Sequence, residues 1–167
     1  MSGVANPKLA LRPYLPADAP VLAAIFRASV EELTGDDYDE EQQAAWASFA
    51  DNEADFAAKL SERLALIATL GGSPIGFITL EGADKIDMLY VHPAAAGQGV
   101  AAMLTDAIEK LAAARGAQKL TVEASDTAQG FFQHRGFVAM QRNTVMRDGV
   151  WFPNTTMEKK FAAGKAS

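Results

Sequence analysis

The feature that most constrains this chain is a strand, a glycine-containing loop and a long helix in direct succession. A run of β-branched and apolar residues, Ile86 to Val91, ends at Pro93. The loop from Ala96 to Gly99 then leads into a stretch with helically spaced apolar residues. Glycines at such a junction expose consecutive backbone N–H groups at the positive end of the helix dipole. Because the loop has no charged side chain, we expect its backbone to bind an anion such as a pyrophosphate.

Composition sets the broad class of the protein. A chain of 167 residues with 49% hydrophobic and 22% charged residues is expected to form a single domain spanning residues 1–167, with loose ends at about 1–7 and 162–167. The absence of cysteine excludes disulfides, thiolate catalysis and cysteine zinc sites. The net charge of −6 argues against nucleic acid as a partner. We also expect no membrane partner and a cytoplasmic location, because no apolar run reaches a membrane-spanning length and no signal peptide is recognisable. No metal site is expected either.

Hydrophobic periodicity predicts the order of the elements. Strands are predicted at residues 10–14, 64–70, 75–80, 85–91, 120–124, 137–143 and 150–160. Three helices follow the first strand, the first of them capped by Asp18. A long helix from Val100 is closed by Gly116, and a short helix covers residues 127–135. This order predicts an α/β (α+β) fold with a mixed, mostly antiparallel sheet of six to seven strands and helices on both faces.

The glycine loop has two alternative interpretations. Glycines at a strand–helix corner often serve only to permit a tight turn. The stretch from Gly97 to Ala102 also satisfies the G-x-G-x-x-A pattern of an NAD(P)-binding oxidoreductase, with Glu123 placed to bind the ribose. Against the oxidoreductase, several residues separate the strand from Gly97. In addition, too few residues follow Glu123 to complete a doubly wound sheet.

Two motifs resemble those of the GNAT N-acetyltransferase superfamily. The strand end Leu89-Tyr-Val-His-Pro93 and the loop Ala96-Gly-Gln-Gly-Val-Ala101 resemble the family's central motif, although Ala96 replaces the usual Arg or Gln. Downstream, the stretch from Ala128 to Phe137 resembles the family's A-x-x-F-Y-x-x-x-G-F motif. The resemblance covers nearly the whole chain. It implies a V-shaped separation between the two central strands, with coenzyme A bound between them.

The resemblance also implies the residues that bind acetyl-CoA. Backbone groups beside Leu89 and Val91 are expected to pair with the pantetheine arm and to polarise the thioester carbonyl. Loop N–H groups are expected to bind the pyrophosphate, Ser125 the pantetheine or the substrate, and Arg135 a phosphate. The expected cofactor-binding residues are Leu89, Tyr90, Val91, Ala96, Gly97, Gln98, Gly99, Val100, Ala101, Ser125, Ala128, Phe131, Phe132 and Arg135.

The implied reaction is direct attack of a primary amine on the acetyl thioester in a ternary complex. Many relatives have a tyrosine as proton donor where this chain has Phe132. Tyr90 or water is the alternative donor, and a non-catalytic acyl-CoA-binding protein is the alternative function. Asp87 and Glu123 are candidate bases, because strand alternation places Asp87 on the face of Leu89 and Val91.

The acceptor is a small-molecule or peptide amine. An acidic run at residues 36–41, with Tyr38 and Trp46 as substrate-binding aromatics, suits a cationic amine. Residues of the last strand, Trp151, Asn154 and Met157, are expected at the acceptor site or at the interface of a homodimer.

Overall fold

The computed structural model describes residues 8–161, and within that range the chain forms seven strands and five α-helices. The predicted loose ends lie outside the described residues. The strands are β1 (Leu9–Pro13), β2 (Leu64–Leu70), β3 (Ser73–Glu81), β4 (Lys85–Val91), β5 (Lys119–Ser125), β6 (Val138–Arg147) and β7 (Val150–Lys160). The helices are α1 (Ala19–Leu33), α2 (Glu40–Ala47), α3 (Glu53–Ser61), α4 (Val100–Ala114) and α5 (Asp126–His134).

The strands form one sheet in the order β1-β2-β3-β4-β5-β7-β6. Every neighbouring pair is antiparallel except β4 and β5, which run parallel. That parallel pair meets only at Lys85↔Thr121 and Ile86↔Val122, so the two strands separate beyond Ile86. The predicted mixed sheet with a V-shaped separation is therefore confirmed, and the doubly wound parallel sheet of a dinucleotide-binding oxidoreductase is excluded.

Helices cover both faces of the sheet. Helix α4 is the crossover that a parallel β4–β5 pair requires, and its buried Val100, Leu104 and Ile108 pack against one face. Helices α1 and α3 cover the other face, where Phe26 and Phe56 are each 1% exposed and belong to a second core cluster. Among residues 8–161 no helix has both the length and the apolar character needed to cross a membrane.

Strand β4 contains an irregularity at Asp87. Thr79 is opposite Met88 and Leu80 is opposite Ile86, so Asp87 has no partner on β3. The Met88 N–H instead donates to Oγ1 of Thr79 at 3.0 Å. This is the two-against-one pairing of a β-bulge. The predicted alternation of Asp87 with the later odd-numbered residues of β4 is therefore wrong, because the bulge resets the side-chain faces.

The first helix begins differently from its predicted cap. Asp18 precedes α1 but makes no side-chain capping bond to it. Its carboxylate instead accepts two hydrogen bonds from Arg12, both 2.8 Å long, and one from the Leu15 N–H, also at 2.8 Å. The hydrogen bonds from Arg12 hold the pKa of Asp18 below its ordinary value. The ion pair joins β1 to the start of α1.

Replacing Asp18 with Asn is expected to lower the free energy of unfolding at pH 7 by about 1–3 kcal/mol, the usual range for hydrogen bonds to a charged group. Because the folded-state pKa is lowered, the contribution is complete above the unfolded pKa and is lost as the pH falls through the folded pKa. Urea unfolding of both proteins at pH 7 and pH 3 measures this difference. A gap between the two proteins that stays constant with pH would contradict the assignment.

Candidate active site

The glycine loop places uncapped N–H groups at the start of α4. Gly97 and Gly99 have φ of 78° and 81°, a left-handed conformation that side chains rarely adopt. A Cβ at either position would meet no atom within 4 Å, so both glycines border open space. Gly99 is the N-cap of α4 and provides no side-chain cap. The first N–H groups of α4, at Val100 and Ala101, are therefore available to an anion.

The rest of the loop is held by its own hydrogen bonds. The Ala94 N–H donates to Nδ1 of His92 at 3.0 Å, and the Gln98 side-chain amide donates to the Ala94 carbonyl at 3.3 Å. The Gln98 backbone N–H also donates to the Ala95 carbonyl at 3.4 Å. Ala96 is exposed and extended, and its methyl group offers no polar contact. In this loop, the groups that remain available to a ligand are therefore mainly backbone N–H groups.

The edge of β4 that faces β5 carries free backbone groups. The His92 N–H donates to the Ile75 carbonyl at 2.8 Å, which is toward β3. Because successive N–H groups of a strand point to opposite edges, those of Leu89 and Val91 point toward the opening between β4 and β5. No β5 residue pairs with β4 beyond Ile86. The β4 edge beyond Ile86 is therefore open to hydrogen bonding, and its use by a pantetheine arm stays a prediction.

A cavity of about 500 Å³ lies where β4 and β5 separate. One part of its wall is aromatic and the other carries polar and charged groups. Six aromatic rings line it: Phe26, Tyr38, Trp46, Phe49, Tyr90 and Phe152. Its polar and charged lining residues are Lys59, Lys85, Asp87, Glu123, Ser125, Arg147, Asp148 and Asn154. The size falls in the range of small-molecule sites.

Tyr90 presents a neutral hydroxyl at this cavity. Its ring packs edge-on against Phe26 with centroids 4.5 Å apart, and its hydroxyl accepts a hydrogen bond from Nε1 of Trp46 at 3.1 Å. Burial raises the pKa of Tyr90 to about 12. The hydroxyl therefore keeps its proton throughout the physiological pH range and can act as a donor.

Both predicted carboxylates line the cavity, and each is paired with a cation. Asp87 accepts a hydrogen bond from Nε of Arg63 at 3.2 Å, in a pair whose side chains are 21% and 12% exposed. Glu123 lies 3.2 Å from Nζ of Lys85, in a pair that is 44% and 39% exposed. The Glu123 pair is the more solvated of the two and so the easier to rearrange.

Tyr38 and Trp46 reach the cavity wall, but the acidic run around Tyr38 does not. Tyr38 is 4% exposed; its hydroxyl donates to the Pro153 carbonyl at 2.9 Å and accepts from the Asp126 N–H at 2.8 Å. Asp37 instead accepts a hydrogen bond from Thr127. The expected acidic entrance for a cationic amine is therefore absent from the cavity wall.

Helix α5 provides the opposite side of the opening. Ser125 caps it by accepting a hydrogen bond from the Ala128 N–H at 3.1 Å, and Ala128 and Phe131 are half-buried. Phe132 is only 2% exposed, with its ring 5.1 Å from that of Phe137. The prediction that Phe132 lines the cofactor cleft is therefore wrong. Phe132 lies on the inner face of α5 and packs into the core.

Arg135 lies at the C-terminal end of α5 and forms an ion pair with Asp106 of α4. Its guanidinium is 5.8 Å from the centre of the Phe131 ring, and its buried Nε has no hydrogen-bond partner within the described part of the chain. The predicted phosphate contact of Arg135 therefore requires the Asp106 pair to open or to be shared.

Sequence reasoning missed two cations that line this cavity, Arg147 and Lys59, and also Arg63, which pairs with Asp87. The only signal for Arg147 is its position beside an Asp-Gly turn, because its approach to the cavity depends on long-range packing. Of the last-strand residues, Asn154 lines the cavity, Met157 is fully buried and Trp151 is 55% exposed. Residues 8–161 contain no cluster of His, Asp or Glu able to hold a metal ion.

Comparisons with known proteins agree with this geometry. A family model described as an acetyltransferase (GNAT) domain matches residues 34–161. The uncharacterized N-acetyltransferase YafP of Escherichia coli (strain K12) is 34% identical over 151 residues, covering 90% of this chain and 95% of that protein.

Solved structures share the fold. The GCN5-related N-acetyltransferase "Aminotransferase, Class-II" from Rhodopseudomonas palustris has a TM-score of 0.91 at 61% identity, covering 96% of this chain and 100% of that one. The PaiA N-acetyltransferase from Thermoplasma acidophilum, solved in complex with coenzyme A, has a TM-score of 0.77 at 19% identity, covering 92% and 99%. The predicted family is confirmed: this chain belongs to the GNAT acetyltransferase family.

Proposed function

We propose that this acetyltransferase moves the acetyl group of acetyl-CoA to a primary amine that enters the cavity between β4 and β5. The observation that carries the proposal is the continuity of two sites along β4. Residues from Lys85 to Tyr90 line the cavity, and the strand then leads directly to the uncapped glycine loop at the start of α4.

The chain offers a surface that suits coenzyme A, which is the ligand in the PaiA structure. The N–H groups of Gly97, Gly99, Val100 and Ala101 bind the pyrophosphate, and the free β4 edge at Leu89 and Val91 binds the pantetheine arm. Ser125, Ala128 and Phe131 close the opposite side, and Arg135 reaches a phosphate when its ion pair with Asp106 opens or is shared. When bound, acetyl-CoA supplies the activated thioester.

Catalysis in this proposal uses three groups around the cavity. A β4 N–H of Leu89 or Val91 stabilises negative charge on the carbonyl oxygen. Glu123, released from its exposed pair with Lys85, accepts the amine proton directly or through water. Tyr90 donates a proton toward the departing sulfur, in place of the tyrosine absent at Phe132. Asp87 stays bound to Arg63 and shapes the wall.

The remaining expectations stay predictions. Exposed Met146 and Trp151 lie opposite each other on β6 and β7, which suits the proposed homodimer. We also propose that the protein acts in the cytoplasm, without a nucleic-acid or membrane partner.

Replacing Gly99 with Glu is expected to reduce acetyl-CoA affinity at least 100-fold, because a carboxylate would stand against the pyrophosphate. Calorimetric titration with acetyl-CoA measures the effect. The control is Gly99→Gln, which has the same size and the same backbone strain without the charge, and which should lose less affinity. Wild-type affinity in Gly99→Glu would contradict the loop assignment.

Replacing Glu123 with Gln is expected to lower kcat about 100-fold or more, the usual contribution of a general base, with acetyl-CoA affinity unchanged. Release of free coenzyme A in the presence of an amine panel provides the assay. Asp87→Asn is the matched variant and should lose less activity. A larger loss of kcat in Asp87→Asn than in Glu123→Gln would identify Asp87 as the general base. If the wild type releases no coenzyme A in response to any amine, a protein that only binds acyl-CoA is favoured.

Replacing Tyr90 with Phe is expected to lower kcat about 10- to 100-fold without changing the KM for acetyl-CoA, because only the hydroxyl is removed. Since burial raises the pKa of Tyr90 to about 12, the wild-type kcat should show no decline from loss of this proton below about pH 10. Steady-state kinetics across pH test both points. An unchanged kcat in Tyr90→Phe would show that water protonates the thiolate.

A further inference from the structure

The charged side chains around the cavity differ in whether each is paired with an opposite charge. Asp87 and Glu123 each have their own cation, Arg63 and Lys85. The third acid, Asp148, accepts a long hydrogen bond of 3.5 Å from Ser48. Within the part of the chain that the structure describes, Arg147 and Lys59 line the same cavity without an ion pair to any carboxylate. Among the described residues, three cations and three carboxylates line the cavity, and Arg147 and Lys59 are the two cations that no ion pair occupies.

Lys59 and Arg147 differ in what else they contact. Nζ of Lys59 lies 4.8 Å from the centre of the Phe49 ring, so a cation–π interaction already stabilises its charge. Among residues 8–161, no aromatic ring forms a cation–π contact with Arg147, and its planar guanidinium has the geometry that binds a carboxylate through two parallel hydrogen bonds. Of the two, Arg147 is the better anion-binding group.

The β6–β7 hairpin fixes the position of Arg147. Arg147 is opposite Val150, on either side of a two-residue turn in which Asp148 and Gly149 have φ of 49° and 75°. Two positive φ values identify the tight turn whose twist matches antiparallel strands. The hydrogen bond from Ser48 to Asp148 then connects this turn to the end of α2.

The aromatic wall and the volume of the cavity restrict the size and polarity of the part of the ligand that Arg147 does not contact. The six aromatic rings favour an apolar body, and a volume of about 500 Å³ suits a small molecule. Arg147 also lies within electrostatic reach of the Tyr90 hydroxyl, since it opposes the larger effect of burial on the pKa of Tyr90. Arg147 and Tyr90 line the same cavity, so an anionic group held by Arg147 would share that cavity with the proposed proton donor.

We propose that the acceptor is a small amine with an apolar body and a carboxylate, as in an apolar amino acid, and that Arg147 binds the carboxylate and determines specificity. This inference rests on the proposed acetyl transfer to an amine. It replaces the cationic amine expected from the acidic run at residues 36–41, because those acids do not line the cavity.

The test compares phenylalanine with 2-phenylethylamine and phenylalaninamide, which lack the carboxylate, at equal concentrations of the unprotonated amine. For the wild type, kcat/KM is expected to be at least tenfold higher with phenylalanine. Arg147→Gln should raise the KM for phenylalanine at least tenfold and leave the KM for acetyl-CoA and the rate with 2-phenylethylamine within twofold. Arg147→Lys should restore part of the loss.

Arg115→Gln is the matched control, since it removes the same charge from an exposed residue at the C-terminal end of α4 and should leave every parameter unchanged. Calorimetric binding of N-acetylphenylalanine to the complex with coenzyme A gives a readout independent of turnover, and Arg147→Gln should weaken it at least tenfold.

Equal use of phenylalanine and 2-phenylethylamine, or an unchanged KM and product affinity in Arg147→Gln, would overturn the carboxylate inference while leaving the acetyltransferase proposal intact. Binding of acetyl-CoA with no transfer to any amine would overturn the proposed function itself.

Discussion

The separation of β4 from β5 is the constraint on which the rest of the structure depends. Parallel strands normally satisfy their backbone groups along their whole length, but here pairing stops after Ile86↔Val122. The edge of β4 beyond that point must find water or a ligand, because unpaired backbone groups are costly when buried. One departure from regular sheet geometry thus creates both a hydrogen-bonding edge and a space beside it.

Two hydrophobic cores on opposite faces of the sheet stabilise the elements that surround this opening. The core under α4 holds the helix whose N-terminus carries the glycine loop, with Leu104 and Ile108 both 0% exposed. The core under α1 and α3 supports the aromatic wall through the contact of Phe26 with Tyr90. The Tyr38 hydroxyl connects the segment before α2 to β7 and α5. The glycine loop and the aromatic wall of the cavity are therefore stabilised by separate sets of contacts.

Local patterns predicted the elements with strong periodicity and failed where distant pairing decides the outcome. The apolar spacing from Val100 places α4 correctly, because a helical face is a local property. β6 extends to Arg147 rather than ending at residue 143, since the polar residues of this edge strand show no alternation and its length is set by pairing with β7. The bulge at Asp87 depends on the register of β3, and Asp18 pairs with Arg12 through tertiary approach, so neither can be read from neighbouring residues. At the candidate site, the glycine loop could be predicted from its local sequence. The burial of Phe132 in the core and the approach of Arg147 to the cavity from the β6–β7 hairpin depend on tertiary packing and could not.

The position of Arg147 on a two-residue turn has an evolutionary consequence. Exposed positions outside a core usually change folding free energy by no more than about 0.5 kcal/mol when substituted. If the proposed role of Arg147 holds, substitutions at this hairpin tip can change which amine is accepted without disturbing the glycine loop and the core beneath α4. Amine specificity and acyl-donor binding would then evolve independently of each other.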